Sequence, residues 1–150
     1  MNQADYEVDL ICWLKDASGE QRRRFGLDLL HRTFDKVQPM LSYQVTDLVS
    51  HFMPILINSS AENLTTHFVE LYDEIDQLNN ASKSTESFAL YCLLDNSIMG
   101  WISYQETGAY LHLVGIGFGM TTLLDFELEG NWDAPEMLAE IEYQCRLLTT

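Results

Sequence analysis

Positive charge almost vanishes from this chain after residue 36. Of its 8 Lys and Arg residues only Lys83 and Arg146 lie beyond that point, against 16 of its 23 acids. The net charge of −15 repels phosphate backbones and anionic lipid, and it accelerates encounter with a cationic partner. Proline is equally scarce, three residues in 150, which leaves room for long helices. No run reaches 18 apolar residues. The most apolar stretch, 109–124, is broken by Gly115, Gly117, Gly119 and His112 and reads as core, so no membrane contact is expected.

Catalytic signatures are missing too. There is no nucleophile elbow, Walker loop or dinucleotide fingerprint, and Gly115-x-Gly117-x-Gly119 has the wrong spacing for the last. His31, His51, His67 and His112 are scattered, with neither the H-E-x-x-H nor the Glu-x-x-His spacing of metal sites, so they read as ordinary helical residues. Nothing singles out a carboxylate pair for hydrolysis. The expectation is a non-enzyme with no metal and no cofactor. Cys12, Cys92 and Cys145 are odd in number and embedded in apolar patterns, which favours buried free thiols in a reducing compartment. The opening MNQADYEVD is polar and acidic where a secretory signal would be basic and then apolar, and a cytoplasmic location is expected.

What is present is enough for a folded core. With 47% hydrophobic and 11% aromatic residues, 150 residues should form one domain, 1–150, that buries roughly 68–70% of its unfolded surface. Apolar residues recur at helical spacing nearly throughout. A first helix spans 4–15. Ser18-Gly19-Glu20-Gln21 is a capping box that opens a second, carried by Phe25, Leu29, Leu30, Phe34 and Val37 and ended by Pro39. A third covers 43–52 and stops at Pro54, with Ile55-Leu56-Ile57 short enough to be extended. Ser59-Ser60-Ala61-Glu62 is another capping box, before a seam of Leu64, Phe68, Leu71, Ile75 and Leu78.

A polar loop at 79–84 leads to a densely apolar helix over 85–104. Residues 110–128 repeat that density, but each glycine in a helix interior costs about 0.5–1 kcal/mol relative to alanine. Either two backbones pack closely there or 111–120 is a bulged strand. Asp133-Ala134-Pro135-Glu136 starts a final helix with Asp133 as cap and Met137, Leu138, Ile141, Cys145 and Leu148 inward. The fold class is an all-α bundle of about six helices, with α+β the alternative if 109–120 holds a strand.

Charge placement carries the functional reading. Arg22-Arg23-Arg24 fall in the first turn of a helix, where cations oppose the macrodipole. Pairing with Glu20, Asp28 or an acid across the bundle explains them, and a small anion site is the alternative. The acids form two clusters: Glu70, Asp73, Glu74 and Asp76 on the seam helix, then Asp125, Glu127, Glu129, Asp133, Glu136, Glu140 and Glu142 around Trp132. Trp132 reads as an exposed aromatic anchor. A surface that is merely soluble mixes both signs, and these clusters hold no Lys or Arg. The partner-binding candidates are therefore Glu70, Asp73, Glu74, Asp76, Asp125, Glu127, Glu129, Trp132, Asp133, Glu136 and Glu140.

In size, charge and helical character the chain resembles the small acidic immunity proteins of contact-dependent and other polymorphic toxin systems. A second resemblance rests on Arg32-Thr33-Phe34 before Pro39, on Leu64, Leu71 and Leu78, on the apolar run 88–94, and on Pro135, Glu140, Gln144 and Leu147-Leu148. In that order of elements the chain looks like the YjaG-like helical proteins. Together the resemblances imply an immunity protein on an all-helical scaffold. Its partner would be a basic toxin domain, expected to be a nuclease because such enzymes are cationic where they grip phosphate. The alternatives are a phage-type nucleic-acid mimic that blocks a host defence enzyme, and a homodimeric scaffold joined through 88–124.

Overall fold

Side-chain caps launch the first two helices of the computed structural model, which describes residues 1–58, 63–78 and 84–150. Asn2 accepts from the Asp5 amide at 2.9 Å, and Asp5 accepts from the Asn2 amide at 3.1 Å, starting α1 (Gln3–Asp16). The expected Ser18–Gln21 box opens α2 (Gly19–Val37), with reciprocal bonds of 3.1 and 2.8 Å. Pro39 ends it in a 3-10 turn, Gln38–Met40. Then follow α3 (Tyr43–Asn58), α4 (Leu64–Leu78), and a rod made of α5 (Ser84–Leu90), a π-helical stretch (Tyr91–Ile98) and α6 (Met99–Thr107). Gly108, at φ 71°, stops the rod by adopting the left-handed conformation. After a 3-10 turn at Tyr110–His112 come α7 (Leu113–Glu127) and α8 (Pro135–Thr149).

The architecture is all-α: seven helical rods and no strand among the described residues. Three details differ from the sequence reading. The third helix passes through Pro54, so Ile55-Leu56-Ile57 is helical. Buried Val45, Val49, Phe52, Met53 and Leu56 continue one stripe across the proline, and their packing outweighs the hydrogen bond it removes. Leu78 and Leu138 are exposed, so the stripes of α4 and α8 end at Ile75 and pass through Met137, Ile141 and Leu148 instead. Ala134 rather than Asp133 holds the cap position of α8, and Asp133 instead meets the N-terminal ammonium at 3.3 Å. The Ser59–Glu62 box and positions 79–83 of the expected loop lie outside the described residues.

The strand alternative for 109–120 fails because 110–112 form a 3-10 turn and 113–120 belong to α7, a helix at the centre of the bundle packed by α1, α2, α6, α8 and the π-helical stretch. Its glycines make those approaches possible. A β-carbon on Gly117 would come within 2.6 Å of the Tyr6 hydroxyl and 2.7 Å of Leu10, and one on Gly115 would sit 2.9 Å from the Asn96 carbonyl. Gly119 faces Ser97 and the Cys92 carbonyl, so the wide π turns sit directly on a smooth strip of α7. A π turn is rare in itself and persists where surrounding packing over-determines it.

The three arginines of α2 take neither expected role. Arg22 donates to the carbonyls of Leu14 and Lys15 at 2.8 and 2.9 Å, and Arg24 donates to that of Leu147 at 2.7 Å. Each thus covers the negative end of another helix, α1 or α8, which offsets its unfavourable place at the start of its own. Arg23 lies 5.6 Å over the ring of buried Trp101. Among the cysteines, Cys92 is buried and its thiol is pushed up to about 12 by burial, as suits an inert core thiol. Cys145 is half-buried and Cys12 is exposed, the latter contrary to expectation. No helix among the described residues is long and apolar enough to cross a membrane.

Candidate functional site

The two acidic clusters have different fates. On α4, buried Leu64, Phe68, Leu71 and Ile75 commit one side of the helix to the core and turn Glu70, Asp73, Glu74 and Asp76 outward. Among the described residues, no Lys or Arg lies within ion-pair distance of these four, and the nearest partner is His67, 3.8 Å from Glu70. Like charges at i,i+3 and i,i+4 repel, so this arrangement costs the isolated helix a few tenths of a kcal/mol per pair.

The second cluster is partly drawn into the fold. Asp125 accepts the Trp132 indole N–H at 2.7 Å, and Glu127 meets Lys36 at 3.0 Å. Glu140 is almost fully buried and holds Arg32 through two contacts, of 2.8 and 3.2 Å. Glu129, Asp133, Glu136 and Glu142 remain exposed, and so does Glu127 despite its pair with Lys36. Trp132 is no exposed anchor. It is half-buried, its ring centroid 5.7 Å from that of Tyr6, and with Asp125 it staples the turn between α7 and α8. The amphipathic indole buries its ring and needs one acceptor, which the last turn of α7 supplies.

Behind Trp132 lies a buried polar chain. The Tyr6 hydroxyl donates to Gln144 at 2.6 Å, and Gln144 donates to Glu140 at 3.0 Å and to the Gly117 carbonyl at 3.3 Å. Arg32, stacked 4.0 Å over the Tyr143 ring, closes it, and Tyr143 donates to Asp28 at 2.8 Å. Burial raises the pKa of Glu140, opposed by the Gln144 hydrogen bond and the Arg32 charge. A carboxyl raised in the folded state binds more protons there than when unfolded. Its contribution is therefore greatest below its ordinary value of about 4.5 and is lost as pH rises through the folded value. Unfolding free energy should fall over that window in the native protein, and Glu140→Gln should flatten the slope. Parallel urea-derived profiles for the two proteins would refute the assignment.

Sequence reasoning missed Asp95. It lies on the π-helical stretch, and the antiparallel run of α4 beside that rod, marked by the Thr65–Glu106 hydrogen bond, sets it against Tyr72. The Asp95 carboxylate is the main cause that raises the Tyr72 pKa, followed by burial and Asp76. Negative charge from two helices therefore converges on one surface, which only the packing of α4 could reveal. No group of His, Cys, Asp and Glu among the described residues is arranged to hold a metal ion.

No family model, curated protein or solved structure matches this chain.

Proposed function

We propose that the protein is an immunity-type inhibitor that binds a basic toxin domain, most naturally a nuclease, through the outward face of α4. The observation that carries this reading is Glu70, Asp73, Glu74 and Asp76 held side by side, without Lys or Arg partners among the described residues, on a helix whose other side is anchored in the core. Four mutually repelling carboxylates contribute nothing to the helix, and a cationic partner would relieve that repulsion. A nuclease presents such charge where it grips phosphate, and opposite fields raise association rates from a neutral 10⁵–10⁶ toward 10⁸–10⁹ M⁻¹s⁻¹ at low salt. The exposed acids Glu129, Asp133 and Glu136 form a second patch, smaller than the sequence implies because Asp125, Glu127 and Glu140 serve the fold.

The homodimeric alternative draws less support. Much of the 88–124 segment that would form the contact packs inside the protomer, including Leu93, Ile98, Trp101 and Ile116. Coexpression with a cationic domain encoded by the adjacent gene should rescue growth, and the purified pair should associate at a rate that falls steeply with salt. Reversing Glu70, Asp73 and Glu74 to Lys should slow association at low salt by about tenfold or more. A neighbouring gene that encodes no such domain, or a triple variant that associates as fast as the native protein, would defeat the reading.

A further inference from the structure

Two tyrosines and two carboxylates, distant in the sequence, meet where α4 lies against the π-helical stretch. Tyr72 and Asp76 from one side, with Tyr91 and Asp95 from the other, rim a cleft of about 190 Å³ lined below by Ile75 and Leu94. Tyr72 is 39% exposed and Tyr91 50%, although most of the chain's large side chains are buried. Tyr72 and Asp95 stand on opposite walls of the cleft, and the exposed Asp95 carboxylate offers lone pairs that can accept. The volume falls below the roughly 300 Å³ at which small-molecule pockets begin, so it suits a single side chain.

We propose that this cleft receives the guanidinium group of an arginine presented by a cationic partner protein. The faces of tyrosine rings attract cations, and two carboxylates on opposite walls can accept the divergent N–H groups of one planar fork. Lysine, a compact and strongly hydrated point charge, would use the carboxylates but gain less from the flat rings. Among the described residues, no arginine or lysine of this chain lines the cleft. The inference rests on the proposed function only for the partner's identity: the α4 carboxylates would speed encounter, and the cleft would hold the complex.

The test uses the whole protein and the probe acetyl-Gly-Arg-Gly-amide, followed by the ring resonances of Tyr72 and Tyr91. Both rings should shift saturably with the arginine peptide, at least fivefold more weakly with its lysine counterpart, and not at all with the uncharged citrulline peptide. Asp95→Asn and Tyr91→Ala, both at exposed positions, should each weaken arginine binding at least fivefold, with unchanged circular dichroism showing that the fold is kept. Ring shifts absent, or equal for arginine and citrulline, would overturn the proposal. In a complex with a cationic toxin domain, the same two variants should raise the dissociation rate at least fivefold. An unchanged rate there would overturn the cleft's role while leaving the α4 reading intact. Conversely, arginine-selective binding without any toxin partner would keep the cleft and remove the proposed function. Self-association in sedimentation that Asp95→Asn abolishes would identify a second copy as the arginine donor and overturn the assignment of a foreign partner.

Discussion

Arg32→Ala should destabilise the protein by about 2–3 kcal/mol at neutral pH, measured by urea unfolding. The reason lies with what remains rather than with what is removed. Glu140 is 4% exposed, and Arg32 is the cation that meets it, through contacts of 2.8 and 3.2 Å. Stripping one partner from a buried pair strands the other charge in a medium that solvates it poorly, at a typical cost of about 3–5 kcal/mol. The lower figure is expected here because the Arg32 side chain is 36% exposed, so solvent already screens the pair. Removing the guanidinium also uncovers the Tyr143 ring on which it stacks. Adding Glu140→Gln to the variant should restore most of the loss, since it removes the stranded charge and keeps an acceptor for Gln144. If the double variant is no more stable than Arg32→Ala, the loss comes from packing, and the electrostatic account fails.

Gly117→Ala should lower stability by about 1–2 kcal/mol, against the usual direction for that change in a helix. Alanine would gain about 1 kcal/mol from helix propensity, whereas forcing a methyl into a filled core costs about 1–3 kcal/mol. The balance turns on whether the neighbours can yield. They are the Tyr6 hydroxyl at 2.6 Å, Leu10 at 2.7 Å and the Gln144 side-chain oxygen at 2.9 Å. Although these are ends of side chains, Tyr6 and Gln144 are bonded to each other, and Gln144 is further bonded to Glu140 and to the Gly117 carbonyl. Moving one breaks several bonds. Gly19→Ala is the control, because nothing lies within 4 Å of a β-carbon there and helix propensity should act alone, raising stability by up to about 1 kcal/mol. Equal effects at the two positions would show that α7 has room to relax.

Local periodicity made most of the helices legible, and it failed at places where distant residues decide. Pro54 reads as a stop because proline removes a helical hydrogen bond, yet the stripe from Val45 to Leu56 carries α3 through it. Leu138 reads as inward from its spacing, but α8 turns a neighbouring stripe to the core, and a shift of one residue on a helix is a rotation of about 100°. The arginines of α2 read as misplaced until the C-termini of α1 and α8 are seen beside them.

The candidate surface divides in the same way. Glu70, Asp73, Glu74 and Asp76 could be placed outward from the seam of α4, because the apolar residues of one helix dictate which way the rest must point. Trp132 could not, since its exposure depends on Tyr6 and Asp125. Nor could Asp95, whose relation to Tyr72 exists only because two antiparallel helices are pressed together.

By itself, then, the order of residues determined that this chain is helical, strongly acidic after residue 36, and outward-facing along one carboxylate-rich helix. These are local properties, set by hydrophobic spacing and by formal charge. Only the tertiary structure decided which acids stay free, since Glu127 and Glu140 meet Lys36 and Arg32 across 91 and 108 residues of chain. Charge in a sequence is additive, whereas charge on a surface depends on which partners the core brings within about 4 Å.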